Sequence, residues 1–231
     1  MGRRVTRVLC AGDPRGDGDA VARLADVAGE HDAQAIALVG DLTADGDSGE
    51  YRAIFTALGK TGLPSFWVPG PADAPVAGYL REAHNMEVVF PFLHGLHGTV
   101  AFADGHVLFA GIGGEISDDP HAPREEIERL SYPRWEAEYR LKLVRELDEH
   151  QLVLMFWSAP AHKGRGIGGS EEVAELIATY RPRLAVCAGE PGSQLIGRTQ
   201  IVSPGSLADG QWAIADLHTH EVDLGTLSVT A

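Results

Sequence analysis

Short, fully apolar runs alternate with amphipathic stretches through the first third of the chain. Val5–Ala11, Ala33–Val39 and Pro64–Val68 have the length and composition of buried strands. Ala20–Ala28, Gly49–Leu58 and Pro75–His84 carry apolar residues at helical spacing. Buried strands that alternate with helices predict βαβ units and a parallel sheet. Asp13 to Asp41 is 28 residues and Gly40 to Gly70 is 30, close to the roughly 30-residue βαβ unit. The middle of the chain changes period. Thr99–Ala103 and Val107–Gly111 predict a hairpin turning at Asp104-Gly105, and Ser117–Pro123 a charged, proline-containing loop. Pro133–Leu147 predicts a long helix whose apolar positions Trp135, Tyr139, Leu143 and Leu147 fall on one face. Leu152–Trp157 and Leu184–Ala188 read as strands, and Glu171–Thr179 as a helix. The remainder reads as β only: Gln194–Ile196, Thr199–Val202, Trp212–Asp216 and Glu221–Leu227. No linker divides the chain, so residues 1–231 are expected to form one domain.

Composition narrows the partners. The net charge of −14 argues against sequence-independent nucleic-acid binding and against an anionic membrane surface. No apolar run reaches the roughly 18–20 residues of a spanning helix. Met1-Gly2-Arg3-Arg4 leads straight into a strand pattern with no signal-peptide core. Cys10 and Cys187 sit in apolar runs, as buried reduced thiols of a cytoplasmic protein would.

Candidate chemistry collects where strands end. Gly12-Asp13-Pro14-Arg15-Gly16, Gly40-Asp41, Gly70-Pro71-Ala72-Asp73 and Gly189-Glu190-Pro191-Gly192 each follow a predicted strand. Open α/β sheets place their sites there. In order and spacing these frames resemble the D-x-H, G-D, G-N-H-[D/E] and G-H-x-H motifs of the calcineurin-like metallophosphoesterases. Val202-Ser203-Pro204-Gly205-Ser206 resembles that family's V-N-P-G-S run. The resemblance implies a four-layer α/β-β/α sandwich, with two facing mixed sheets flanked by helices. It also implies a centre of two divalent metals. Carried over residue by residue, Asp13 and Asp41 fall on metal-binding positions. Arg15 stands in place of the first histidine ligand, Pro71 of the asparagine and Ala72 of the catalytic histidine. Asp73 matches the carboxylate that supports that histidine. Trp157 falls at the lone histidine, while Glu190 and Gly192 replace the histidines of G-H-x-H.

The substitutions have a common electrostatic sense. Two adjacent aspartates without metal repel and hold their pKa values up. Arg15 brings a fixed charge and a planar fork suited to carboxylate or phosphate. If Arg15 neutralises the pair in a buried setting, its loss is expected to cost about 3–5 kcal/mol. The rival expectation is one hard cation, Mg, Mn or Ca, on Asp13, Asp41 and Glu190.

Downstream, Ala161–Ser170 is basic and glycine-rich and opens a helix. Lys163 and Arg165 there suit a phosphate, and His162 a proton donor; a surface loop with Ser170 as N-cap explains the run equally well. His218-Thr219-His220 reads as a hairpin end, and His94 and His97 as turn residues. Asp17 and Asp19 read as caps of the first helix.

Three functions stay open. One is a protein that binds a phosphorylated small molecule, with no metal cofactor and little or no two-metal hydrolysis. The second is a phosphoric-ester hydrolase with an atypical single-metal centre. The third is a structural or assembly protein with a vestigial pocket.

Overall fold

Strand alternation sorts the apolar residues into three cores, and the cores define the layers. The computed structural model describes residues 3–119, 126–161 and 169–227. The βαβ repeat is present as β1 (Arg7–Gly12), α1 (Gly18–Glu30), β2 (Ala35–Gly40), α2 (Ser48–Thr61), β3 (Ser65–Pro69), α3 (Val76–Val89) and β4 (Leu93–Gly95). Next come β5 (Thr99–Ala103), β6 (Val107–Ile112), β7 (Glu115–Ser117), α4 (Glu126–Arg129), β8 (Ser131–Pro133) and α5 (Arg134–Leu141). The chain then runs through β9 (Gln151–Phe156), α6 (Glu171–Tyr180), β10 (Leu184–Cys187), β11 (Gly192–Ile196), β12 (Thr199–Ser203), β13 (Gln211–Asp216) and β14 (Val222–Thr226).

Two six-stranded sheets result, ordered β14-β13-β1-β2-β3-β4 and β11-β12-β10-β9-β6-β5. In the first, β1 to β4 are parallel and β13 and β14 antiparallel. In the second, β6, β9, β10 and β12 are parallel, with antiparallel edges β5 and β11. Val8 and Cys10 of β1 point between the sheets, whereas Leu9 and Ala11 point at the helices. β2 alternates the same way, with Ala35, Ala37 and Val39 inward and Ile36 and Leu38 outward. Across the seam Phe66 stacks on Phe109, ring centroids 3.8 Å apart. α1 to α3 cover the outer face of the first sheet; α5 and α6 cover that of the second. The expected four-layer α/β fold is therefore present. No helix among the described residues is long and apolar enough to cross a membrane.

Caps set the helix starts. Asp17 accepts from Ala20 N–H at 2.8 Å, Asp47 from Gly49 and Glu50, and Ser170 from Val173. Asp19 sits inside the first turn of α1.

One expectation about the helices is overturned. The long helix over 133–147 stops at Leu141 and tightens into a 3-10 turn, Lys142–Glu146. Its large aromatic stripe faces solvent: Trp135 is 57%, Tyr139 63% and Leu143 47% exposed. The buried stripe is Ala137, Leu141 and Val144, against Ile112, Phe156 and Leu176. Small Ala137 allows close approach to the sheet, and buried Glu136 is paired with Arg140 at 2.7 Å. Tyr139 is covered instead by the Lys142 ammonium, 3.9 Å from the ring centroid.

Candidate functional site

Three loops that follow β1, β2 and β3 are tied together by their backbones. Asp13 N–H donates to Val39, Arg15 N–H to Asp41 and Gly16 N–H to Leu42, at 3.0, 3.2 and 2.8 Å. Asp13 Oδ1 in turn accepts from Asp41 N–H at 2.9 Å. Asp41 Oδ1 accepts from Ala72 N–H at 3.0 Å, which brings in the third loop. The glycines of the frames have a steric purpose here. A Cβ on Gly40, whose φ is +97°, would overlap the Asp13 carboxylate. A Cβ on Gly70 would overlap that of Asp41. Ser206, from the run after β12, closes the ring by donating its hydroxyl to Asp13 O at 3.4 Å.

Asp13 and Arg15 both adopt left-handed backbone, φ +43° and +46°. Non-glycine residues in that region cost about 1–2 kcal/mol each, and such strain gathers at working sites. Nothing in residue type announced this.

The cleft over these loops has a volume of about 550 Å³. Asp13, Arg15, Asp41 and Trp157 line it. Its opposite wall is Glu115–Asp118, a stretch whose only distinction in the sequence was its charge. Asp118 is fixed there, accepting from Ser170 Oγ and from Glu172 N–H at 3.0 and 3.2 Å. Burial pushes the carboxyls of Asp13 and Asp41 above the usual range; Asp41 raises Asp13 further. Backbone N–H donors and Arg15 pull the other way.

Arg15 reaches Asp41 Oδ2 at 3.8 Å, with Arg15 60% and Asp41 13% exposed at the side chain. The buried-pair expectation of several kcal/mol is corrected by that exposure. An ion pair with one solvated partner contributes about 0–1 kcal/mol. Arg15→Ala should thus lower stability by less than about 1 kcal/mol in urea melts at neutral pH; a loss several times larger would mean that Arg15 is held far more tightly than its exposure indicates.

Two other predicted residues lie off the cleft surface. Asp73 is fully buried beneath it. Its Oδ2 accepts from Leu42 and Gly70 N–H at 2.9 and 2.8 Å, and its Oδ1 from Thr43 N–H and Oγ1 at 2.9 and 2.8 Å. It ties the second and third loops together. Glu190 is exposed; its neighbours Ala188 and Gly189 line the cleft and it does not. His162, Lys163 and Arg165 lie outside the described residues. The described chain on either side of them is at the rim: Ala159, Gly169 and Ser170 line the cleft, and Ala161 N–H bonds to Ser170 O.

Among the described residues, no group of three or more His, Cys, Asp and Glu side chains is arranged to hold a metal. Asp13 and Asp41 lie beside the Arg15 guanidinium on one wall of the cleft, and Glu115 and Asp118 line it as well. Arg15, Pro71, Ala72 and Trp157 stand in the sequence where the family's motifs have histidine or asparagine.

Residues 1–227 match the family model described as metallophosphoesterase, calcineurin superfamily. The chain belongs to this superfamily. The crystal structure of TT1561 of Thermus thermophilus is 40% identical, covers 96% of this chain and 99% of that one, and superposes with a TM-score of 0.90. The 5'-nucleotidase from Candida albicans SC5314 shares the metallophosphoesterase-like fold at 8% identity and TM-score 0.60, over 96% of this chain and 52% of that one. A search of curated proteins gave no match. Superfamily members typically use divalent metals.

Proposed function

We propose that this metallophosphoesterase-superfamily protein binds a phosphorylated small molecule in the Asp13–Arg15–Trp157 cleft, with little or no two-metal hydrolysis. One observation carries the reading. Arg15, which falls in the sequence where the resembled motif has a histidine, holds its guanidinium 3.8 Å from Asp41 Oδ2. A fixed cation there opposes binding of a divalent ion and offers a bidentate fork to a phosphate. Arg15 is then the anion clamp and Trp157 a flat wall. Lys163 and Arg165 add charge from a segment whose neighbours are at the rim. His162 is the candidate proton donor to a leaving oxygen. Asp73 supports the loops from below. The buried, unbridged thiols Cys10 and Cys187 support a reducing, cytoplasmic setting.

A second reading has one specific observation in its favour. Burial raises both cleft aspartates despite Arg15, so a single Mg, Mn or Ca ion would relieve an under-compensated pair. Glu190 would complete that oxygen set only by turning in from outside the lining. In that case the protein is an active phosphoric-ester hydrolase.

Metal content and turnover of an aryl phosphate with added Mn²⁺ separate the two. The first reading expects neither bound metal nor Mn²⁺-dependent turnover. It also expects a thermal shift with a sugar phosphate or nucleotide, with affinity reduced about tenfold or more in Arg15→Ala. Stoichiometric metal with turnover would select the hydrolase. Phosphate-ligand binding unchanged in Arg15→Ala would remove Arg15 from its role.

A further inference from the structure

At the other end of the second sheet, four arginines from three separate segments line one cleft of about 440 Å³. Arg145 comes from the 3-10 turn after α5, and Arg181 is the left-handed cap that ends α6. Arg183 leads into β10, and Arg198 sits in the turn between β11 and β12. Gln151 and Leu152, the first residues of β9, form part of the floor. The Asp13–Asp41 cleft lies at the opposite end of these strands, beside Trp157 and Ala188. A six-residue strand separates the two by roughly 15–20 Å.

Basic residues outnumber acidic ones in this cleft. Asp148 is the single acidic residue in its lining. Among the described residues, no ion pair engages any of the four arginines. Arg183 is oriented by donating to the backbone carbonyls of Leu217 and His218, neutral acceptors that leave its charge uncompensated. Arg145 lies over the Tyr180 ring, 5.6 Å from its centroid. Nδ1 of the lining residue His150 is buried without a hydrogen-bond partner. A chain of net charge −14 has thus concentrated unpaired guanidiniums at one concave place. Like charges brought together this way repel unless an anion joins them.

We propose that this arginine cleft is a second binding site, which takes a molecule carrying a chain of two or more phosphates. Several forks suit several phosphoryl groups better than they suit one. The volume falls in the range of small-molecule sites and admits a nucleotide. Two sources share that chemistry: a nucleoside polyphosphate and an inorganic one.

Titration calorimetry with ADP and with sodium tripolyphosphate, at low and at physiological salt, tests the proposal on the full chain. One or both probes should bind, and more weakly as salt rises. A tighter fit for ADP assigns the site to nucleotides; a tighter fit for tripolyphosphate assigns it to inorganic chains. Charge reversal in Arg145→Glu/Arg198→Glu should weaken binding at least about 100-fold. Arg145→Lys/Arg198→Lys, which keeps the charge and loses the forks, should weaken it about tenfold. In an Arg15→Ala background, which weakens nucleotide binding in the other cleft, the same charge reversal should produce the same further loss. No heat with either probe overturns the proposal. So does an affinity unaltered by the charge reversal in the parent or in the Arg15→Ala background.

Discussion

Asp73→Asn is expected to destabilise the protein by about 1–3 kcal/mol at neutral pH, although it removes one charge and almost no volume. Asp73 is surrounded by donors alone: two backbone N–H groups at Oδ2, and an N–H and a hydroxyl at Oδ1. An asparagine amide must turn its NH₂ towards one of these pairs. The Thr43 side is the less costly, because its hydroxyl can rotate to accept. The Thr43 N–H is still left unpaired in a fully buried site. Asp73→Ala abandons all four donors and should cost more, about 3–5 kcal/mol. Urea midpoints of the three proteins measure this directly. Equal midpoints would mean that the four donors find other acceptors and that Asp73 does not tie the loops.

The parent and Asp73→Asn should also separate with pH. Burial pushes the Asp73 carboxyl up to about 7, against the pull of its four donors. An unfolded aspartate titrates near 4. Between these values the folded protein holds a proton that the unfolded chain releases. The stability contributed by this group is therefore present at low pH and lost as pH rises through about 7. The advantage of the parent over Asp73→Asn should widen as pH falls from 7 towards 4. Asp13 and Asp41 are also raised by burial, but they occur in both proteins and cancel in the difference. A difference that stays flat over this window would place the Asp73 carboxyl in the ordinary range.

What was legible in the chain follows from this contrast. β1, β2 and β3 are buried on both faces, so they appear as unbroken apolar runs, and α1, α2 and α3 show one apolar face each. The order of glycine–aspartate frames after those strands was enough to place Asp13 and Asp41 in one cleft. Asp73 was legible as a residue of that motif, but the direction of its side chain depends on Leu42, Thr43 and Gly70 presenting N–H groups to it. Arg15 was legible as a substitution, but its exposure depends on a left-handed backbone that its type does not encode. Around α5, two stripes satisfied the helical period, and residue size favoured the wrong one. Trp135 and Tyr139 outweigh Ala137 on any hydrophobic scale, yet only the small residue lets the helix approach β6 and β9. Arg145, Arg181, Arg183 and Arg198 carry no common motif; strand and helix ends from a folded sheet bring them together.

Gly70→Ala should be strongly damaging although it adds a single methyl near the cleft. Gly70 has extended backbone, φ −104° and ψ 178°, which alanine adopts without strain. Any loss must therefore come from close approach. A Cβ there would overlap Asp41 Oδ1 and lie 2.7 Å from Asp41 N and 2.9 Å from Gly40 C. Two of those three atoms are backbone, so no side-chain rotation relieves the clash. The loop after β3 must move away from the loop after β2. That motion stretches Ala72 N–H to Asp41 and the Asp73 bonds to Leu42 and Thr43. Overpacking costs about 1–3 kcal/mol, and each weakened buried hydrogen bond adds about 1 kcal/mol. A total of about 3–5 kcal/mol is expected. Gly78→Ala serves as the control, because its Cβ meets nothing within 4 Å inside α3; it should stabilise the protein by about 0.5–1 kcal/mol. The cleft should report the same displacement. Asp41 moves with its loop in Gly70→Ala, so binding of a phosphorylated ligand or of a single Mn²⁺ should weaken there and stay unchanged in Gly78→Ala. If Gly70→Ala melts with the parent, the loops are loose enough to separate freely, and the close packing of Asp13, Asp41 and Asp73 does not hold the site in shape.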